Sequence, residues 1–227
     1  MFDVVIPLRS GSKGIKNKNI KKFHGDSLVN YTLKKLLKIK DVKNIFVLTD
    51  SDSYKKKIIK NKKINLTYPR PKRISGDNAS INHVVINFLN WSKKKYDIKK
   101  ILFFHVTCPL ISIKEIKKTI DFIKKNKFAS LIHVTEVMEH PYECIDGTGT
   151  NWKYVKEFNG VNRQNYKKFF FITGSMYYFT KNFVLKNKRM YNKSSYAYQV
   201  DKINFVDINT KFDFELAKSL KNFKIRN

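Results

Sequence analysis

Apolar runs of strand length alternate with stretches whose apolar residues recur every three or four positions. "DVVIPL" (3–8), "NIFVLTD" (44–50), "KILFFHVT" (100–107) and "ASLIHVTEV" (129–137) are nearly continuous in apolar character, the pattern of strands covered on both faces. The intervening segments 27–39, 52–62, 79–95 and 112–127 carry helical spacing, with Val84, Val85, Phe88 and Leu89 making one stripe. This alternation predicts an α/β fold, a mainly parallel sheet flanked by helices, with ligands held at the carboxyl ends of the strands. "FFFITGSMYYFT" (169–180), a short helix, the strand-like "INFVDI" (203–208) and a closing helix from about Phe212 are expected to complete it.

The alternation breaks at about residue 138. Residues 138–170 are polar and punctuated by glycine, and a loop of that length within a compact domain is an excursion with a purpose. The expected organisation is a single domain over 1–227 with an inserted arm at about 138–170. With 42% hydrophobic and 14% aromatic residues, the chain can build a core without disulfides. Cys108 and Cys144 show no CxxC spacing and no accompanying histidine cluster, which argues against a disulfide scaffold and a structural zinc site. The start of the chain has no basic n-region, and no stretch approaches the roughly 18 apolar residues that span a bilayer. A soluble cytoplasmic protein without a membrane partner is expected.

Charge changes this picture less than its size suggests. Lysine and arginine number 47 against 18 acidic residues, a net charge of +29, which raises the question of a nucleic-acid partner. The cations are overwhelmingly lysine and run along the whole chain, as in "KKLLKIK" and "YKKKIIKNKK", between apolar residues at helical spacing. That places them on solvated faces. Nucleic-acid binding would instead gather arginine and exposed aromatics on one face, so no nucleic-acid partner is expected.

Candidate chemistry begins in "RSGSKGIKNKN" (9–19), which leaves the first strand and precedes an amphipathic helix. The stretch is neither a GxxxxGK[ST] loop nor a GxGxxG fingerprint. Gly11 and Gly14 can take positive φ, Ser10 and Ser12 offer hydroxyls, and successive N–H groups can cradle an anion. Arg9, Lys13 and Lys18 add fixed positive charge, a combination that suits a triphosphate. In "RPKRISGDNAS" (70–80), Arg70 is biased toward extended backbone by Pro71, and Asp77 alone reads best as a helix N-cap. Asp50, at the end of a strand, also reads as an N-cap in preference to a metal or ribose contact.

"IPLRSGSKGIKNKNI" resembles the N-terminal signature of the acylneuraminate cytidylyltransferase (CMP-sialic acid synthetase) family. Further resemblances follow in order: "VLTDSDSY" (47–54), "RPKRISGDNAS", "HVTCPL" (105–110), "NRQN" (162–165), "TGSMYYF" (173–179) and "VDINTKFDFELA" (206–217). The resemblance implies a nucleotide-diphospho-sugar transferase, glycosyltransferase-A-like fold, in which the arm is a dimerisation segment. It also implies a reaction. The anomeric hydroxyl of a nine-carbon 2-keto sugar acid attacks the α-phosphate of CTP and pyrophosphate leaves, as a step toward cell-surface polysaccharide.

The resemblance further implies roles for individual residues. Arg9, Lys13 and Lys18 are expected to be catalytic and to bind nucleotide, together with Ser12, Asn19, Arg70, Asp77, Ala79 and Ser80. His105, Thr107, Arg163, Gln164 and Thr173 are expected on the sugar side, Arg163 by reaching into the partner's site across a homodimer. Mg²⁺ is the implied cofactor, with Asp207 and Asn209 at i and i+2 of an extended segment facing one side, so that both can hold one hard cation. Asp213 reads as the first-turn acid of the last helix.

Departures from the family pattern concentrate at the sugar end. His105, Cys108 and Ile111 stand where the family has glutamine, serine and arginine, Thr173 where it has asparagine, Asn209 where it has a second aspartate, and Lys16 where it has proline. His105 reads as a sugar contact or a packing residue, with general-base action open. A nucleophilic role for Cys108 is not needed by the chemistry. The alternatives are activation of another 2-keto sugar acid, such as a 3-deoxy octulosonate, or an inactive member of the family.

Overall fold

The computed structural model of the protein describes residues 1–11, 14–157, 162–204 and 206–226. Strand β1 (Phe2–Pro7) is followed by a small hairpin, β2 (Lys22–Phe23) and β3 (Asp26–Ser27), and by helix α1 (Leu28–Leu37). Next come β4 (Val42–Leu48), α2 (Asp52–Lys55), β5 (Ile64–Asn65), α3 (Ile81–Ser92), β6 (Lys100–Phe103), α4 (Ile113–Lys125) and β7 (Ser130–Glu136). After a hairpin, β8 (Ile145–Thr148) and β9 (Asn151–Tyr154), the chain forms β10 (Phe170–Thr180), α5 (Lys181–Asn187), β11 (Tyr196–Gln199) and α6 (Lys211–Arg226).

Seven strands make one sheet in the order β11-β7-β10-β6-β1-β4-β5. β10 is antiparallel to both of its neighbours, and every other pairing is parallel. The near-continuous apolar runs are explained by burial on both faces. Val4, Ile6, Ile45, Val47, Leu102 and Met176 face α1 and α4, whereas Val5, Phe46, Phe103 and Phe179 face α3 and α5. Short polar caps start the helices: Ser27 accepts the Asn30 N–H at 3.3 Å, and Ser112 the Glu115 N–H at 3.0 Å. Among the described residues, no helix is long and apolar enough to cross a membrane.

Two expectations are corrected here. The described residues of "INFVDI" join no sheet: Lys202–Asn204 form a 3₁₀ turn, and Val206 and Ile208 are apolar because they are buried with Phe23, Leu110 and Phe214 beneath α6. The sheet edge beside β7 is instead taken by β11, a short and largely exposed strand whose tyrosines and glutamine carry no buried-strand pattern. The helix expected over 52–62 is also shorter, ending at Lys55, and Ile58 packs into the core from the turn that follows. Residues after β7 leave the sheet and return at β10, with the Val137 N–H bonded to the Phe169 carbonyl at 3.1 Å.

Candidate active site

β1 lies where strand order reverses, with β4 on one side and β6 on the other, and a crevice opens beyond such a point. A cleft of about 440 Å³ occupies that place. Arg9, Gly14, Lys18 and Asn19 line it from the loop after β1, Arg70, Asp77 and Ala79 from the segment before α3, and His105 and Thr107 from the end of β6. Asn209 closes it from the segment before α6.

The loop after β1 is fixed by its neighbours. Asp50 accepts the Ser10 N–H at 3.0 Å and the Ser10 hydroxyl at 3.1 Å, Tyr54 Oη donates to the Ser10 carbonyl at 3.2 Å, and Asn19 Nδ2 donates to the Arg9 carbonyl at 3.0 Å. Arg9 is ion-paired with Asp77 across the cleft. Lys18 Nζ donates to the Ile208 carbonyl at 2.6 Å, and burial pushes its ammonium below the ordinary lysine range while the nearby Asp207 pulls the other way. Ser12 and Lys13 lie outside the described residues.

The opposite wall is the segment 207–209, held from three sides. Its Ile208 N–H donates to the Thr107 carbonyl at 2.8 Å, Lys18 holds the Ile208 carbonyl, and a Cβ on Gly14 would run into the Asn209 carbonyl. Asn209 Nδ2 donates to Asp207 Oδ2 at 3.0 Å, so the two expected metal ligands share one side of the chain. Their backbone is locked by Asp213, whose carboxylate accepts the N–H groups of Asn209 at 2.9 Å and Thr210 at 2.7 Å. Thr210 in return accepts the Asp213 N–H at 3.2 Å, a reciprocal cap that starts α6 and bears out the reading of Asp213 as a first-turn acid. Among the described residues no group of three or more His, Cys, Asp or Glu side chains could hold a metal. One carboxylate and one amide still suit Mg²⁺, which binds through few protein oxygens and takes the rest from phosphates and water.

Arg70 is buried, with its guanidinium donating to the Leu48 carbonyl at 3.2 Å and the Ile74 carbonyl at 3.0 Å, so it ties the end of β4 to the loop before α3. His105 is half-buried in the cleft wall, and burial pushes its imidazole below the usual histidine range, so it is neutral near pH 7. Cys108, beside it, is buried, and burial next to Asp207 raises its thiol well above the usual range, which removes it as a nucleophile.

Not every expected residue reaches this cleft. Ser80 is the N-cap residue of α3 and does not line it. The Thr173 side chain is buried on the far side of the wall, its hydroxyl bonded to Ser175 at 2.8 Å. Arg163 and Gln164 line a separate pocket beside the arm with His140, Tyr166 and Lys202, and Arg163 stands 3.7 Å from Glu143.

A family model described as Cytidylyltransferase matches residues 4–225. The chain belongs to the cytidylyltransferase family. It is 27% identical over 214 residues to the N-acylneuraminate cytidylyltransferase of Streptococcus agalactiae serotype V, covering 92% of this chain and 51% of that protein. The chain thus spans about half the length of the curated relatives it matches first. It is 25% identical to the CMP-N,N'-diacetyllegionaminic acid synthase of Campylobacter jejuni, covering 95% of this chain and 93% of that one. Among solved structures it resembles CMP:2-keto-3-deoxy-manno-octonic acid synthetase in complex with CTP, with a TM-score of 0.72, 11% identity, and 99% and 100% of the two chains covered. That likeness establishes the cytidylyltransferase fold.

Two carboxylates whose local sequence reads as a helix N-cap are placed otherwise, and for Asp77 the placement agrees with its expected position on the nucleotide side. Asp50 is not an N-cap: Ser51 caps α2, accepting the Tyr54 N–H at 3.3 Å, and Asp50 clamps the loop after β1. Asp77 is not the cap of α3, which starts at Ile81 with Ser80 as its N-cap residue, and it faces Arg9 instead. The available signal was position: both carboxylates sit in loops at the carboxyl edge of the sheet, beside the strand that feeds the cationic loop.

Proposed function

We propose that this chain transfers CMP from CTP to the anomeric hydroxyl of a nonulosonic acid, releasing pyrophosphate. Arg9, Lys13 and Lys18 neutralise the triphosphate, with Ser12 and Asn19 as further nucleotide-binding residues. Arg70, Asp77 and Ala79 form the cytosine side, where hydrogen bonds to the base edge and limited room exclude purines, and Ser80 starts the helix behind them. His105 and Thr107 meet the sugar from the wall opposite, and Thr173 supports that wall. The observation that carries the reading is the convergence of Arg9, Lys18 and Asn209 on one cleft that His105 also lines, with Asp207 hydrogen-bonded to Asn209 beside it.

In the reaction, the anomeric oxygen forms a bond to the α-phosphorus, the bond from that phosphorus to the bridging α–β oxygen breaks, and pyrophosphate departs. Positioned cations counter the charge that builds on the phosphoryl and leaving oxygens. Neutral His105 can accept the hydroxyl proton. Asp207 and Asn209 would hold Mg²⁺, which supplies charge neutralisation at the phosphates. Relatives named for N-acylneuraminate, diacetyllegionaminic acid and pseudaminic acid support the substrate class.

Two further parts belong to this proposal. The chain forms one catalytic domain, located in the cytoplasm, and residues of about 138–170 serve as a dimerisation arm that brings Arg163 and Gln164 to the partner's cleft. Exposed Met138, Trp152, Tyr154, Val155 and Phe171 on and beside that arm support it, because monomers rarely expose so much large apolar surface in one region.

The test measures pyrophosphate released from CTP with Mg²⁺ and a panel of N-acetylneuraminic, diacetyllegionaminic, pseudaminic and 3-deoxy-octulosonic acids. Release is expected with a nonulosonic acid, with CTP in preference to UTP, and is expected to stop on addition of EDTA. Silence across the panel, or equal use of UTP, overturns the reading.

A further inference from the structure

A fully buried histidine stands behind the sugar-side wall. His133, on β7, has no exposed surface, and both of its ring nitrogens are engaged. Nε2 lies 3.0 Å from Thr119 Oγ1 of α4, and Nδ1 lies 3.1 Å from Ser175 Oγ of β10. Thr119 donates its hydroxyl to the Glu115 carbonyl at 3.0 Å, so it accepts from Nε2–H, and Ser175 donates to Nδ1. Thr173 Oγ1 lies 2.8 Å from Ser175 Oγ and donates to the His133 carbonyl at 3.4 Å, so the same two side chains hold both the ring and the backbone of His133. His133 is thus a neutral imidazole tied at one nitrogen to α4 and at the other to β10. Burial agrees with it, pushing the imidazole down to about 3.

The far end of this network is a distortion in β10. Register between β10 and β7 shifts between Ile172 and Tyr177, five steps along β10 spanning two along β7, from Val134 to Ile132. Gly174 sits in that bulge at φ +70°, a conformation side chains resist. The bulge faces the cleft wall: a Cβ on Gly174 would lie 3.9 Å from the His105 ring and 3.7 Å from both Cys108 Sγ and Tyr177 Oη. Cys108 Sγ also donates to the Thr173 carbonyl at 3.7 Å. Ser175 and Thr173 thus join His133 on the buried side to His105 and Cys108 on the cleft side.

We propose that His133 is a positioning residue for the sugar acid, setting through Ser175 and Thr173 the bulge against which His105 and Cys108 rest. This rests on the reading that the wall beside His105 receives the sugar. No atom of His133 touches substrate. Its effect falls chiefly on the sugar side of the cleft: Arg9, Lys18 and Arg70 belong to the loops after β1 and β5 and share none of these bonds, and the link toward the phosphates is the 3.8 Å contact of Cys108 Sγ with Asp207 Oδ1.

The experiment uses the full chain with Cys144→Ser, which leaves Cys108 as the one thiol, and adds Ser175→Ala or His133→Phe. The sugar KM is expected to rise about tenfold, since small misplacements at a reacting centre have effects of this order or larger. The CTP KM should stay within about twofold of the parent, and maleimide should label Cys108 about tenfold faster as the bulge loosens. A parallel rise in both KM values would mean a merely structural role and overturn the proposal. An unchanged sugar KM with unchanged labelling in Ser175→Ala would overturn it too, whether or not His133→Phe folds. Should the parent turn over no sugar acid, the functional reading fails by itself, and the Cys108 labelling rate alone decides whether His133 sets the wall.

Discussion

Lysine is abundant in this chain, and Lys18 shows that position gives a cation its role. It is drawn to the Ile208 carbonyl beside Asp207 and partly desolvated, where its charge acts over a shorter range of dielectric screening than in water. Lys18→Ala is expected to lower kcat/KM by about 10²–10³, the size of loss seen when one preorganised charge-stabilising donor is removed. Its melting temperature should stay close to that of the parent; unchanged steady-state kinetics would refute the role. Arg9 and Lys18 were legible in the sequence because glycines and a preceding buried strand frame them. Asp50 and Asp77 were misread because a carboxylate just before a helical segment has the same local signature whether it caps the helix or faces a cleft. What separates the two outcomes is a partner far along the chain, Ser10 for one and Arg9 for the other.

At the scale of elements, the parallel strands and the helices that cover them could be read directly, since burial on both faces writes near-continuous apolar runs. Segments that pack without joining the sheet were not legible: "INFVDI" has a strand's composition and serves as the underside of α6. The meeting of the loop after β1 with the segment before α6 was equally hidden, although it forms the site. Gly14 is the point of contact, with no room for a side chain against the Asn209 carbonyl. Gly14→Ala is therefore expected to push Asn209 and Asp207 out of place and to reduce activity at least tenfold, more at low Mg²⁺ than at high. Full activity with an unaltered Mg²⁺ dependence would show that this contact is dispensable.

For the whole molecule, the charge of +29 did not assign function, and neither the fold nor the cleft depends on it. The proposed dimerisation arm is tested at this scale, since Arg163 lines a pocket other than the cleft and apolar side chains of the same stretch are open to solvent. Light scattering should return twice the 26.9 kDa chain mass, and Trp152→Asp with Tyr154→Asp should shift it toward one chain and lower activity together. A fully active single chain would remove the arm from the mechanism.

The bond from Lys18 to the Ile208 carbonyl joins residues 190 positions apart. Closing so long a loop is entropically slow to reward, so the contacts that complete the site are late ones in folding. A nascent chain can therefore assemble much of its sheet while its cationic loop still lacks the opposite wall. On the proposed reading, nucleotide capture is expected to wait until α6 has docked.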